Sequence, residues 1–131
     1  MNAVLARALQ DEGVLCNYII SEFIKKWYNE YEPSWYRRTY QFLHSCTHSN
    51  VYKEGNKLRI DIFIDYENMH YKAGVSSLWV VEQASIGWHG GYIDTDTHFW
   101  ADSIDFIERH TLIKNFIEYL QKYTGAKITK R

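Results

Sequence analysis

The residues with the most chemical promise are bunched in one pentapeptide, His44-Ser45-Cys46-Thr47-His48. Two imidazoles and a thiol are ligands that Zn²⁺ takes readily, and on a helix His44 and His48 would share a face. The set is incomplete. Structural zinc takes four ligands, and no second Cys/His pair follows at finger-like spacing. Catalytic zinc needs a third ligand and a base, as in His-Glu-Xaa-Xaa-His, which does not occur. As a thiol nucleophile, Cys46 would have His44 or His48 as its base, but adjacent residues rarely supply the third, orienting group. The pentapeptide is therefore expected to be a polar helix end with no bound metal or cofactor. A small metal-dependent hydrolase or nuclease using His44, Cys46 and His48 is the alternative.

The other constellations are thinner. His89-Gly90-Gly91 resembles an oxyanion loop, but the Gly-Xaa-Ser-Xaa-Gly elbow that would bring the nucleophile is missing. Asp94, Asp96 and His98 offer a few ligands for a cation without the rest of an EF-hand, and helix capping accounts for the acids. Neither a phosphate-binding Gly-Lys-Ser/Thr nor a dinucleotide glycine fingerprint occurs. The expectation is a non-enzymatic protein with no catalytic residues.

Composition narrows the class. A chain of 131 residues with 46% apolar and 24% charged residues fits one folded domain, and its net charge is −1. No run of Lys or Arg exceeds two, so there is no strong electrostatic footprint for nucleic acid or an anionic membrane. No apolar stretch is long enough to span a bilayer, the N-terminus lacks a signal-peptide run, and the two cysteines are expected to be reduced thiols inside a cell. Five Trp, eleven Tyr and six Phe make 17% of the chain. Tyr and Trp carry polar tips that resist full burial, so this excess suits either an aromatic core or a surface that meets other proteins.

The elements that must position these residues follow from periodicity. Cys16, Ile20, Phe23, Ile24, Trp27, Tyr28 and Tyr31 recur at helical spacing over 16–31, and 3–10 is rich in helix formers. Gly13 between them is either a break or a tolerated residue. Pro33 ends the helix, and Ser34 can cap a second one over 35–44. Residues 58–65 alternate as a strand, placing Leu58, Ile60, Ile62 and Ile64 on the core side and Arg59 and Asp61 outward. They pair with 49–53 across a hairpin turn at 54–56. Residues 66–96 are weakly patterned, with a possible strand within 75–86, and are expected to form a long loop or extension. A helix over 99–109 should bury Trp100, Ile104 and Ile107. Thr111 can cap another that carries Leu112, Ile113, Phe116, Ile117, Leu120 and Tyr123 and ends at a left-handed Gly125. Residues 127–129 could add an edge strand. The sum is a single α+β domain over 1–131, with N-terminal and C-terminal helices on a small, mostly antiparallel sheet. Trp79, Val80, Val81, Trp88 and Tyr92 in the extension are the expected subunit interface.

Residues 27–43 also carry a resemblance. Tyr31, Pro33, Tyr36, Arg38 and Thr39 fill a Tyr-Xaa-Pro-Xaa-Xaa-Tyr-Xaa-Arg-Thr segment. A glycine hairpin, an alternating strand and the Gly87–Gly90 loop follow in the same order. This is similar to the small neck or tail-completion proteins of the head–tail joint in tailed phages and prophages of Gram-positive bacteria. Tyr40 stands where many of those proteins have Gly. The resemblance implies an α+β ring subunit of the virion, assembled in the host cytoplasm. Its partners would be copies of itself and neighbouring connector and tail proteins, with DNA passing through without sequence-specific binding and no membrane involved. A prophage-borne regulatory binding module is the remaining alternative.

Overall fold

The computed structural model describes residues 2–29, 41–69, 76–86 and 98–125. Its first element is one uninterrupted helix, α1, Ala3–Asn29. The Asn2 side-chain oxygen starts it by accepting from the Val4 and Leu5 N–H groups at 3.0 and 3.2 Å. Gly13 is therefore a residue within a helix and not a break. Its reason is contact. A Cβ built there would collide with Ile60 Cδ1 and lie 3.2 Å from Ile60 Cγ1.

Four short strands follow: β1 (Cys46–His48), β2 (Tyr52–Glu54), β3 (Lys57–Arg59) and β4 (Ile62–Ile64). They form one long antiparallel hairpin in two ladders, with β1 on β4 and β2 on β3. The predicted strand over 58–65 is thus split at Ile60 and Asp61. Pairing runs His48 to Ile62 in one ladder and Tyr52 to Arg59 in the other, so residues 49–51 face only 60–61. One extra residue in the first arm makes a bulge. Hydrogen bonds hold it on both arms and to α1. Ser49 N–H donates to the Asp61 carbonyl at 2.8 Å, Asp61 N–H donates to Ser49 Oγ at 3.0 Å, and Val51 N–H donates to Gln10 Oε1 of α1 at 3.2 Å. The hairpin turns through Gly55-Asn56 with Gly55 at φ 61°, a conformation that glycine adopts without cost. The predicted alternation survives the break: Ile62 and Ile64 pack on the core, while Arg59 and Phe63 are exposed.

Residues 66–96 were expected as a loop holding a strand, and their described parts are neither. Tyr66–Asn68 is a 3-10 turn, and Ser77–Ser85 is a helix, α2. Ser76 caps α2 by accepting from Trp79 N–H at 3.3 Å, and Ser77 Oγ donates to the Met69 carbonyl at 2.8 Å. The apolar run 78–81 suits a strand by composition, but the cap and the Val81–Ala84 spacing give it a helical face. Helix α3 (Phe99–His110) and helix α4 (Lys114–Thr124) are the last described elements. The buried face of α3 is Phe99, Ser103 and Ile107, a rotation from the predicted stripe that leaves Trp100 exposed. Thr111 closes α3 instead of capping α4, since its N–H and hydroxyl both donate to the Ile107 carbonyl. Gly125 ends α4 in the left-handed conformation, φ 70°.

Helix α1 is the hub. It packs against α3, α4 and the hairpin, and its buried Cys16, Ile19, Ile20, Ile24, Trp27 and Tyr28 make the centre of the core. Phe42 and Phe99 plug the end of that core. Phe42 meets Trp27 at 5.5 Å and Phe99 at 5.1 Å, both edge-to-face, an arrangement that adds about 0.5–1.5 kcal/mol per pair beyond area burial. Among the described residues Trp27, Tyr28, Phe42 and Phe99 are buried, while Tyr18, Phe63, Tyr66, Trp79, Trp100 and Phe106 are exposed. The second predicted helix, 35–44, lies mostly outside the described residues. Its last part, 41–44, is a hydrogen-bonded turn closed by Ser45 N–H on the Phe42 carbonyl at 3.1 Å. The predicted edge strand at 127–129 lies outside them too.

The Gly13–Ile60 contact gives a two-background test. Alanine in a helix interior is worth about 1 kcal/mol over glycine, and the collision opposes that gain. Gly13→Ala is expected to be neutral or destabilising in the native chain. In an Ile60→Val background, which lacks the colliding methyl, it becomes stabilising, with a coupling on the order of 1 kcal/mol by denaturant unfolding. Equal effects in both backgrounds would remove the close approach as the reason for glycine.

Candidate functional site

The most perturbed chemistry lies inside the core and not in the pentapeptide alone. Glu12 sits on the inward stripe of α1, one turn before Cys16, and is only 3% exposed. The Cys16 thiol donates to Glu12 Oε1 at 3.7 Å, and Glu12 Oε2 is buried without a hydrogen-bond partner. Burial pushes the Glu12 carboxyl up to about 7, only partly opposed by the Cys16 hydrogen bond. Burial likewise pushes Cys16 up to about 12, helped by the neighbouring Glu12 charge. Cys46, at the head of β1, belongs to the same buried cluster, and burial raises its thiol to about 11 against the pull of a Ser21 hydrogen bond. Tyr119 of α4 is also raised, first by desolvation and next by the Glu12 charge.

Both thiols are therefore protonated at neutral pH and enclosed, and a thiol rather than a thiolate is a poor nucleophile and a poor metal ligand. The pentapeptide around Cys46 starts in a turn at His44 and runs into β1. His44 is exposed in that turn, Cys46 is buried, and His48 is half-buried with Nδ1 2.8 Å from the Ser49 carbonyl, so Nδ1 carries the proton and donates. Among the described residues no group of three His, Cys, Asp or Glu side chains is placed to hold a metal ion. His98 is the N-cap of α3, where its backbone N–H donates to Asp102 Oδ2 at 3.1 Å.

The predicted interface residues separate. Val81 packs on the core, Val80 is half-buried, and Trp79 is 44% exposed beside Leu78 at 45% on the outer side of α2. Val81 is partly buried, with one side used by the domain's own core. Trp88 and Tyr92 lie outside the described residues, as do the motif residues Tyr31, Pro33, Tyr36, Arg38 and Thr39, and His89, Gly90, Gly91, Asp94 and Asp96.

Glu12 was missed because the helical stripe was counted only from Cys16. Extending that stripe back by four residues puts a carboxylate on the inward face, and that misplacement is the signal the sequence holds. Across α1, the Tyr123 hydroxyl of α4 donates to Asp11 Oδ2, and the Arg7 guanidinium lies 4.3 Å above the Tyr123 ring. These contacts fix α4 on α1 near the buried acid.

The described residues define a small α+β domain in which a hub helix packs against a hairpin, α3 and α4, and α2 packs on α3, with a closed acid–thiol cluster at its centre. No helix among the described residues is long and apolar enough to cross a membrane. Residues 1–122 match the YomN family, and the chain belongs to it; that family derives from Bacillus phages and prophages. No curated protein and no solved structure matches the chain.

Glu12 gives a pH dependence with a fixed sign. Its folded value, about 7, exceeds its ordinary 4.5, so the native state holds the proton more tightly. The resulting stability is complete below pH 4.5, declines as pH rises through 4.5–7 and is lost above that. Glu12→Gln should therefore help more at pH 8 than at pH 4.5, by on the order of 2–3 kcal/mol between the two. Denaturant unfolding at both pH values measures it. A pH-independent effect would place the Glu12 carboxylate in water.

Proposed function

We propose that this chain is a non-enzymatic structural subunit of a phage particle, acting at the head–tail joint as a neck or tail-completion component. In this reading copies of the chain form a ring, neighbouring connector and tail proteins contact it, and DNA passes through without sequence-specific contacts. It is made in the host cytoplasm and ends in the virion. Family membership supports the phage origin. The protonated, enclosed thiols and the scattered histidines favour an assembly role over the hydrolase alternative.

The observation that carries the reading is the outer side of α2. Leu78, Trp79 and Ile86 are 45%, 44% and 57% exposed on a helix whose other side, Val81 and Ala84, is already used by the core. A large aromatic among exposed aliphatics is the composition of an interface centre and a hazard if left in water.

The reading is tested in particles from an induced prophage. The chain should be present in purified virions by mass spectrometry, and its deletion should yield filled heads and separate tails by electron microscopy. Trp79→Ala should leave the melting temperature nearly unchanged while weakening incorporation by about 2 kcal/mol or more, the range of interface anchors. Absence of the chain from virions with normal particle yield after deletion would overturn it.

A further inference from the structure

Helix α1 spends one face on the core, and its opposite face, half-covered at Asp11 and Ser21, is open at Val14, Tyr18 and Lys25. On that face Asp11, Val14, Tyr18, Ser21 and Lys25 follow one another at alternating steps of three and four. Such spacing makes a straight stripe along a helix that crosses its neighbour at a shallow left-handed angle. The middle of the stripe is apolar. Tyr18 is the most exposed large apolar side chain among the described residues at 62%, and Val14 is 49% exposed one turn before it.

Hollows lie on both sides of this ridge. One, of about 510 Å³, runs between α1 and residues 43–46, with Lys25, Glu22 and His44 on its wall. The other, of about 520 Å³, runs between α1 and α4, with Asp11, Tyr119 and Lys122 on its wall. Val14 and Tyr18 border both hollows. An apolar ridge between two hollows is a shape that fits a second ridge laid against it.

Charge decides which ridge. Tyr18 is the midpoint of the stripe, and Asp11 and Lys25 lie seven residues to either side. If an identical helix is laid antiparallel with the Tyr18 side chains facing, Asp11 of each chain meets Lys25 of the other, twice. A parallel pairing would instead set Asp11 against Asp11 and Lys25 against Lys25. The stripe is complementary to its own reverse, which is the condition for a two-fold interface.

We propose that a second copy of this chain docks antiparallel on the Asp11–Lys25 face of α1. The two Tyr18 rings close the centre, Val14 of each copy lies one turn to either side, and an Asp11–Lys25 pair lies at each end. The contact leaves the outer side of α2 untouched, so it neither requires nor excludes the role at the head–tail joint. It is closed by symmetry and cannot by itself build a ring.

Sedimentation equilibrium of the purified full-length chain tests the pairing through charge reversal. The native chain should dimerise within a range of about 1–100 µM, as expected of a short helical interface. Asp11→Lys and Lys25→Asp each put like charges at both ends, and each alone should dimerise at least about tenfold more weakly. Mixed one to one, the two variants bring opposite charges together at both ends and should recover native association as a heterodimer. Lys25→Asp alters an exposed residue. Asp11→Lys also removes the acceptor of the Tyr123 hydroxyl, so unchanged far-UV circular dichroism and a cooperative melt are required of it. If it fails that check, Asp11→Asn with Lys25→Asp gives the same comparison with one neutral end, expected between the native chain and Lys25→Asp. A native chain that stays monomeric across the range overturns the proposal. So does a dimer unaffected by either reversal, or a mixture no tighter than the variants alone.

Discussion

Everything in this domain depends on how closely a hairpin can lie against one long helix. The inward face of α1 must serve α3, α4 and the strands at once, and a 27-residue helix has only one such face. At Gly13 the missing side chain lets Ile60 enter the helix surface, and at Gln10 a side-chain oxygen takes the Val51 N–H that the bulge leaves over. The two contacts are one turn apart on α1. Together they fix both the height and the register of the hairpin, and a slip of one residue would turn its isoleucines to solvent. The interruption between β3 and β4 is therefore part of the docking and not a flaw in a longer strand.

The same close packing explains the polar cluster. Once the hairpin and α4 cover the middle of α1, Glu12 and Cys16 have no route to water, and the chain keeps an acid where burial disfavours its charge. The partner it finds is a thiol, a weak donor, which leaves one carboxylate oxygen unbonded. Protonation lowers that cost. The most strongly shifted ionisable groups, Glu12, Cys16 and Cys46, therefore lie in the interior, where they act on stability.

Two of the exposed apolar regions lie on different elements and have different characters. The outer side of α2 is short and carries Leu78, Trp79 and Ile86, while the α1 stripe is long and flanked by charges of both signs. The α2 face carries one charged side chain, Glu82, among its exposed apolar residues. A face with charges placed evenly about its midpoint favours one partner and one direction, because reversed pairings put like charges together.

Helical periodicity along 16–29 and 114–124, the glycine turn at 55–56, the left-handed Gly125 and the alternation of Leu58, Ile60, Ile62 and Ile64 were all legible in the sequence, because each is local physics of neighbouring residues. The α+β class followed from them. The continuity of α1 through Gly13 was not legible, since its reason is a side chain 47 positions away in the chain (Gly13 to Ile60). For residues 78–81, composition favoured a strand, and the Ser76 cap together with packing on α3 made a helix. The rotation of α3 that buries Ser103 in place of Ile104, and Thr111's turn back to Ile107, depend on where α1 and α4 lie. Glu12 belongs to both levels. Its place on the stripe is written in the sequence, but its raised pKa exists only because tertiary packing removed the water around it.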